Sequence, residues 1–540
     1  MRFRRGGARL IVAAAVVAAM AALFSAGSAD AQNPDKLTPE EKRGKQIYVK
    51  GEADGGEIMA YLGSDNLELP AISFSCANCH GLRGEGLKEG GLEPPPIHWA
   101  TLTSKRRSAL TGRERPPYDE ATLARAISAG IDSGGAKLHP GMPRYRMTVG
   151  QMADLIAYLK KIGSESDADP GVTEGAIKVG AALPMTGPLA SVGEDVKAAL
   201  SAYFTEINAQ GGVYGRKFEL VVEDSRGAPE QTVEATRRLV NQHGVFALVA
   251  SFERGDSDAT NEFLRRSEVP LIGPVTLSPR LAAVPNPYVF YLLPSFGDQA
   301  RALADYVTAE AAQGHARLRI AVVHADSDFD RSAREGLLAQ ARVHAMEVIC
   351  EQSFAPGRLP AASVAESLGA KRPDAIFFFG GPDDFAALAR EMDQLKLASR
   401  LLTSAVMAGR AAFSLPADVA SRTYLAYPAA LPGQDDFAEF LAVMQRGNVN
   451  LRNMAFQSVA FAAVKLLIEA VKSSGRQLRR AALIAALEQV RNFKTGVVPP
   501  LTFGPNRRVG ATGSYVVGID LVKKQYKPLS GRIEPKEGGG

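Results

Sequence analysis

Residues 76–80 read Cys-Ala-Asn-Cys-His, and this run constrains the chain more than any other part of it. Two thiols about one helical turn apart can each form a thioether with a vinyl group of a haem. The histidine that follows is then placed under the iron as an axial ligand. The pattern therefore predicts one covalent haem c, attached through Cys76 and Cys79, with His80 on the iron.

Two other sites use paired cysteines, and the surrounding sequence favours neither. A thioredoxin-like site needs a βαβ context, and no such pattern precedes residue 76. A zinc site needs a second ligand pair at suitable spacing. The third cysteine, Cys350, stands alone in the apolar stretch MEVICEQSF, where we expect a small core residue.

The second axial ligand is expected downstream, in residues 139–163. The capping-box pattern at 148–151 predicts that a helix begins there, which places Met152 in its apolar stripe. Met142 lies in an extended Gly-Met-Pro loop just before this helix, where a thioether can reach a flat ring. We therefore predict Met142 as the second ligand of the iron, with His139 and Met147 as alternatives.

The N-terminus has the pattern of an export signal. A basic start precedes an apolar run over residues 10–24, and Ala29-Asp30-Ala31 is a small-x-small cleavage pattern. The run is shorter than the ~18–20 residues that a membrane-spanning helix needs. We expect a signal peptide over 1–31, cleavage after Ala31, a periplasmic location and no transmembrane segment in the mature protein, with an uncleaved membrane anchor as the alternative.

With 540 residues, the chain is too long for one ordinary core. Its net charge is only +5, and the sequence has no block of like charges, so no nucleic-acid partner is predicted. Residues 164–175, SESDADPGVTEG, have the composition of a linker that can reach about 40 Å when extended. After it, apolar strands alternate with amphipathic helices, which indicates doubly wound parallel sheets covered on both faces.

Ligands of such sheets bind at the carboxyl ends of the strands. The loops there carry Thr186, the stretches 251–257, 275–279 and 326–330, and the segment around Met407. None holds a Ser-His-Asp arrangement or a phosphate-binding glycine loop. Hydroxyls, helix N-terminal amides and aromatic walls are typical of binding, so we do not expect an enzyme.

Residues 38–162 resemble a class I cytochrome c domain. The likeness is carried by EEKRGKQIYVKG, CANCHG, GMPRY and the closing DLIAYL. It implies an all-α fold in which the first and last helices pack together, with Gly44, Tyr48 and Tyr158 at their contact. Two insertions, 52–75 and 106–132, depart from the family pattern.

Residues 176–530 resemble the type I periplasmic solute-binding proteins of the branched-chain amino-acid group. The markers are IKVGAALPMTGPLASVGED, INAQGGVYGRKFELVVEDS, VPLIGPVTLSP and LTFGPNRRVGATGSYVVGIDLVKKQY. The likeness implies two lobes that close over a ligand, one of 176–297 plus 428–505 and one of 298–427 plus 506–530. Together with the loops, it implies these ligand contacts: Thr186, Ser251, Phe252, Arg254, Thr276, Leu277, Phe329 and Met407.

The second lobe departs from the amino-acid binders at one point. That family holds the ligand ammonium with an acid in a second-lobe loop, and the corresponding LLTSAVMAGRAAF has none. Asp326 and Asp328 are better explained as helix caps, and an unpaired buried ammonium would be costly. An α-amino acid is therefore not expected. Arg254 offers a bidentate grip for a carboxylate, with a solvated loop arginine as the alternative.

The predicted architecture is multidomain: an all-α cytochrome c domain over 32–163, the linker, an α/β two-lobe periplasmic-binding-protein fold of type I, and a flexible tail over 531–540. The expected function is electron transfer combined with capture of a small organic solute. The redox partner would be a periplasmic quinoprotein dehydrogenase or another cytochrome. The alternative is a substrate-binding receptor for an ABC permease, with an accessory or sensory cytochrome domain.

Overall fold

The computed structural model describes residues 37–63, 66–87, 94–107, 113–253, 258–276, 285–311, 317–431 and 437–536. The chain divides into two compact units that meet between Ala168 and Asp169. The predicted signal peptide and its cleavage site lie outside the described residues.

The first unit contains five helices and five short strands among its described residues. The helices are α1 (Pro39–Lys50), α2 (Cys76–His80), α3 (Trp99–Leu102), α4 (Glu120–Ala129) and α5 (Val149–Leu159). The strands are β1 (Met59–Leu62), β2 (Leu67–Pro70), β3 (Arg106–Arg107), β4 (Glu114–Arg115) and β5 (Arg144–Arg146).

The strands add to the all-α pattern expected for this domain. Within the insertion 52–75, β1 and β2 form an antiparallel pair, and β5 joins the other edge of β1. Ala60 lies opposite Tyr145 in this sheet, and both side chains are buried. The insertion is therefore part of the domain core and pairs with the chain just after Met142.

The predicted contact between the first and last helices is confirmed. A Cβ on Gly44 would lie 1.9 Å from the carbonyl oxygen of Asp154, so only glycine lets α1 approach α5 this closely. The rings of Tyr48 and Tyr158 lie 5.5 Å apart next to this crossing, and both are fully buried. Arg43 and Asp154 form a two-bond ion pair at the rim.

The second unit alternates helices and strands. Its helices are α6 (Ala190–Ala209), α7 (Pro229–Asn241), α8 (Asp258–Ser267), α9 (Phe296–Ala311), α10 (Asp328–Val343), α11 (Ala361–Lys371), α12 (Pro382–Gln394), α13 (Ala405–Ala408), α14 (Ala417–Ser421), α15 (Ala438–Arg446), α16 (Met454–Ser473) and α17 (Arg480–Glu488). Its strands are β6 (Ala176–Leu183), β7 (Lys217–Asp224), β8 (Ala247–Val249), β9 (Leu271–Ile272), β10 (Val289–Phe290), β11 (Arg319–Ala325), β12 (Glu347–Phe354), β13 (Ala375–Phe379), β14 (Arg400–Ser404), β15 (Thr423–Tyr427), β16 (Tyr515–Asp520) and β17 (Gln525–Pro528).

These strands form two sheets, as the alternating pattern predicts. The first is parallel throughout, in the order β10-β9-β8-β6-β7. The second has the order β12-β11-β13-β14-β15-β16-β17, with its last two strands antiparallel. In each sheet the strand order reverses next to the first strand of the lobe, between β6 and β8 and between β11 and β13. Such a switch point opens a crevice at the carboxyl ends of the strands.

Among the described residues, one helix has the length and apolar composition of a membrane span. Helix α16 is long and apolar enough to span a bilayer by length and composition, but 72% of its apolar window is buried inside the protein. It forms the centre of the first-lobe core, where Phe461 stacks on Tyr203. Cys350 lies in the second-lobe core, as predicted.

The segment 164–175 is hydrogen-bonded on both sides of the unit boundary. In the first unit, buried Asp167 accepts hydrogen bonds from Tyr158 Oη and the Gly163 amide and pairs with Lys45. In the second unit, the Asp169 carboxylate accepts a hydrogen bond from the Arg480 amide. These contacts hold most of the segment for which a linker is predicted.

Candidate functional sites

Helix α2 is a single turn that carries Cys76 and Cys79, both as free thiols, and His80 at its end. The Nδ1 of His80 lies 3.1 Å from the Pro95 carbonyl oxygen. Because a carbonyl only accepts, Nδ1 carries the proton and Nε2 is left for a metal. Burial lowers the pKa of His80, which favours the neutral ring that binds iron.

The loop after α2 holds Pro95 in place. The amides of Gly86 and Leu87 donate to the carbonyls of His80 and Cys79. Gly86 has φ +85, and a Cβ there would lie 2.2 Å from the Pro94 carbonyl oxygen. A glycine is therefore required where the chain folds back on the haem-motif helix.

Burial also raises the pKa of Cys76 to about 12, so its sulfur is a protonated thiol. A thiolate-bound metal would need the opposite environment. In the described part of the chain, no group of three or more His, Cys, Asp or Glu residues could hold a metal ion. The cysteines therefore suit attachment of a haem better than a zinc site.

Met142 lies half-buried in the loop between α4 and β5. The side chain of Arg144 donates to the carbonyls of Leu138, His139 and Met142 and holds this loop. His139 is exposed, and its Nδ1 accepts a hydrogen bond from the Gly141 amide at 3.0 Å. This hydrogen bond uses the Nδ1 lone pair and leaves the proton of the neutral ring on Nε2, so His139, the alternative ligand, would have to change tautomer to bind iron.

The remaining methionines of this region belong to the core. Met147 and Met152 are partly buried and pack against the apolar cluster of the first unit. The capping box is present, since Thr148 and Gln151 exchange side-chain to backbone hydrogen bonds. An oriented imidazole, two free thiols on one turn and a braced methionine loop are together the residues that a haem c needs.

The first-lobe switch point of the second unit gathers four predicted ligand contacts at one edge. Ser251 continues β8, and its Oγ accepts a hydrogen bond from the Ala182 amide at 3.1 Å. Phe252 is bridged to Val275, the residue before Thr276. The ring of Phe252 is buried and meets Phe456 edge-on, so it belongs to the lobe core.

Thr186 lies exposed after β6, at the same edge. Its hydroxyl donates to the Asp224 carboxylate at 2.6 Å, and that carboxylate also accepts from the amides of Met185 and Thr186. The hydroxyl oxygen keeps accepting capacity for a ligand donor. Arg254 and Leu277, the other two first-lobe predictions, lie outside the described residues.

Glu253 is the residue at this edge that sequence reasoning missed. It directly follows Phe252, is 6% exposed, and has no hydrogen-bond partner on either carboxylate oxygen in the described structure. Burial raises its pKa to about 8. The available signal was an acid inside SFERGDS, a loop that the strand pattern already placed at the carboxyl edge.

The second lobe places its two predicted contacts at its own carboxyl edge. Phe329 begins α10 after β11, half-buried and edge-on to Phe296 at 6.3 Å between ring centroids. Met407 lies in α13 after β14 and is nearly buried. Asp326 and Asp328, the possible acids of this lobe, both pair with Arg331.

Two family models match the chain. A periplasmic binding protein model matches residues 176–525, and a cytochrome c model matches residues 41–163. A curated relative, the Leu/Ile/Val-binding protein BraC3 of Rhizobium johnstonii, is 22% identical over 59% of this chain and 86% of its own length.

Solved structures share the fold of the second unit. A branched-chain amino-acid ABC transporter protein from Thermus thermophilus with bound valine covers 67% of this chain and 97% of its own, at 18% identity and a TM-score of 0.53. A fatty acid ABC transporter substrate-binding protein from Thermomonospora curvata covers 68% and 94%, at 20% identity and the same TM-score. Since one fold serves both solutes, the ligand must be inferred from side chains.

Proposed function

The chain belongs to the periplasmic binding protein family, with a cytochrome c domain ahead of the binding domain, and from this premise we propose that it is an exported receptor that captures a small amino-acid-like solute and also carries single electrons. The observation that supports the proposal best is the joining, in one chain, of an oriented haem-motif histidine and two parallel sheets with binding residues at their switch points.

In the first unit, the cytochrome c family implies a haem c cofactor. We propose one haem, attached through Cys76 and Cys79 and ligated by His80 and Met142. Bound haem supplies one-electron transfer. His80 and Met142 would both hold the iron, so the chain is proposed to carry electrons without catalysis of its own.

In the second unit, the solute would lie between the carboxyl edges of the two sheets. The first lobe offers the hydroxyls of Thr186 and Thr276, and the second offers the apolar walls of Phe329 and Met407. A pair of lobes that close over a ligand excludes water from these contacts, which strengthens polar interactions inside the cleft. The family's periplasmic location agrees with export after cleavage at Ala31.

A second candidate function follows from the curated relative, which is a Leu/Ile/Val-binding protein. In this second function the chain delivers its solute to an ABC permease, and the cytochrome domain is an accessory. The function proposed first, solute capture with electron transfer, needs a periplasmic electron partner such as a quinoprotein dehydrogenase. Pull-down of the haem-loaded protein from its native periplasm and membrane, with and without solute, separates the two partners.

Two measurements test the core of the proposal on protein purified from its native host. Mass spectrometry of the peptide that contains residues 76–80 should show one haem bound to both cysteines. A thermal-shift screen of this protein against amino acids, amines, carboxylates, alcohols and aromatics should find a solute that raises the melting temperature, because a ligand stabilises the folded state to which it binds. A peptide without porphyrin would contradict the proposed electron transfer. A screen in which no compound raises the melting temperature would contradict the proposed solute capture.

A further inference from the structure

Glu253 lies at the first-lobe switch point as a buried acid with no described partner. We propose that its carboxylate receives the ammonium group of a small protonated amine held in the cleft. The inference rests on the proposed solute capture and deepens it, because it names the chemical class of the solute.

The backbone places Glu253 at this edge by an unusual turn. Ala250, directly after β8, has φ +48, a left-handed conformation that alanine rarely adopts. Beyond this turn the chain is fixed again, since the Phe252 amide donates to Ala182 and the Glu253 amide donates to Val275. Residues held in strained conformations cluster at functional sites. This turn places the segment 251–253 directly after β8, at the carboxyl edge of the sheet.

An unpaired buried carboxyl destabilises a folded protein, because burial removes its water without a replacement. A ligand that supplies the missing partner explains why such a group is kept. Serine or asparagine would hydrogen-bond a neutral solute equally well. What a carboxylate adds is negative charge, and its complement is a cation.

Five other described acids at these two edges already have partners, and Asp383, in the first turn of α12, is exposed to solvent. Asp224 accepts from Thr186, Asp330 from Ser327, and Asp384 from the amides of Gly357 and Leu359, while Asp326 and Asp328 pair with Arg331. Glu253 differs from these five in having both oxygens unpaired. Among these acids, Glu253 is therefore the one whose carboxyl is both buried and open to a cationic solute.

The protonation state of Glu253 supplies a signature of binding. Burial raises its pKa to about 8, so the carboxyl is mostly neutral at pH 7. In the same lobe, Asp224 at the end of β7 and the Asp195–Arg452 pair have partners of their own. An arriving ammonium favours the ionised form, so binding should release a proton from Glu253.

The position of Glu253 also bears on the acid that the second lobe lacks. The sequence expectation against an α-amino acid rested on the segment 401–413, which contains no acid. Glu253 supplies a carboxylate from the opposite lobe. Amino acids and simple amines both satisfy it, and solutes that lack an ammonium group do not.

The test uses the full-length haem-loaded protein and three variants. Glu253→Gln keeps the shape and removes the charge, Glu253→Leu removes the polar group, and Glu262→Gln is a charge-matched control on the exposed face of α8, where Glu262 pairs with Arg265 and Arg266. The probes are two panels matched in carbon skeleton. One contains amino acids and alkylamines, for example L-leucine and 3-methylbutylamine, and the other contains their deaminated or N-acetylated forms, for example 4-methylpentanoate and N-acetyl-L-leucine.

We expect at least one amine to bind the native protein and Glu262→Gln equally. In Glu253→Gln its Kd should weaken by roughly 10- to 100-fold, the loss typical of a hydrogen bond to a charged group. Calorimetry in two buffers of different ionisation enthalpy should show proton release with the native protein and with Glu262→Gln, and none with Glu253→Gln. Glu253→Leu, without solute, should melt no lower than the native protein, which shows that lost binding is not lost folding.

Three results would overturn the inference. Equal amine binding by Glu253→Gln would remove the role of Glu253 and leave solute capture intact. Stabilisation by the deaminated or acetylated panel alone would remove the amine and again leave capture intact. No stabilisation by either panel would count against the inference and against the proposed function together.

Discussion

Arg144 contacts the loop of the proposed haem ligand Met142 through backbone carbonyls. Its guanidinium donates to Leu138, His139 and Met142, and burial lowers its pKa. It packs directly on Gly130, where a Cβ would overlap its side chain. One planar group thus fixes both ends of the loop that presents Met142.

Replacement of Arg144 by alanine should loosen this loop and weaken ligation by Met142. The expected result is a weaker methionine-to-iron charge-transfer band and a reduction potential lower by about 60 mV or more, the value of a tenfold change for one electron. Spectroelectrochemistry of the haem-loaded protein measures both.

Arg146→Ala is the matched control, because Arg146 lies on the same strand but faces solvent and pairs with Glu68. It should leave the band and the potential unchanged. An Arg144→Ala protein with native band and potential would show that the loop does not need this brace, or that Met142 is not the ligand.

At the level of single residues, the sequence indicates the chemical role of a side chain better than it indicates what surrounds that side chain in the fold. His80 and Gly44 were predictable because their neighbours in sequence define their roles. The Pro95 carbonyl that orients His80, and the lack of partners around Glu253, depend on segments that meet only in the fold. The burial and hydrogen bonding of a side chain depend on the tertiary structure, so no local sequence pattern predicts them.

Among the secondary-structure elements, the crossing of α1 and α5 organises the first unit. Gly44→Ala would place a Cβ 1.9 Å from the Asp154 carbonyl oxygen and 2.8 Å from Tyr158 Cβ. Backbone atoms cannot yield as a flexible side chain can, so the helices must move apart. We expect a loss of about 1–3 kcal/mol in the free energy of unfolding of this unit, despite the better helix propensity of alanine.

Denaturant unfolding of the haem-loaded protein, followed by the Soret band, reports on this unit. Gly150→Ala in α5 is the control, since nothing lies within 4 Å of the position that a Cβ would take there. It should be neutral or stabilise slightly. Equal midpoints for both alanine variants would contradict the close contact at Gly44.

Strong periodic elements were predictable and weak strands were not. The capping box of α5 and the buried stripe of α6 follow from local sequence. Strands β1 and β2 were missed because β1 acquires its second partner only from β5, far along the chain. Helix α16 shows the converse limit, because composition alone does not distinguish a core helix from a membrane span.

For the whole molecule, the order of the two domains could be predicted from the sequence because each domain has sequence motifs of its own. The division at residues 168 and 169 has an energetic consequence. Compact units with separate cores tend to unfold as separate cooperative units. Calorimetry of the haem-loaded protein should therefore resolve two transitions, with Gly44→Ala lowering one and a bound amine raising the other. A single transition that both changes move would show that the units unfold together.

If the two units are independent, binding of the solute should change the reduction potential of the haem only slightly. By linkage, a ligand that binds the ferric and ferrous forms with a tenfold difference in Kd shifts the potential by about 59 mV, and the reverse holds equally. Separate units predict a smaller shift, measured as the potential with and without saturating amine. A shift of about 59 mV or more would make redox state and solute occupancy one coupled equilibrium, and the amine should then move both unfolding transitions. The potential measures coupling between redox state and solute binding, and calorimetry measures coupling between the unfolding of the two units.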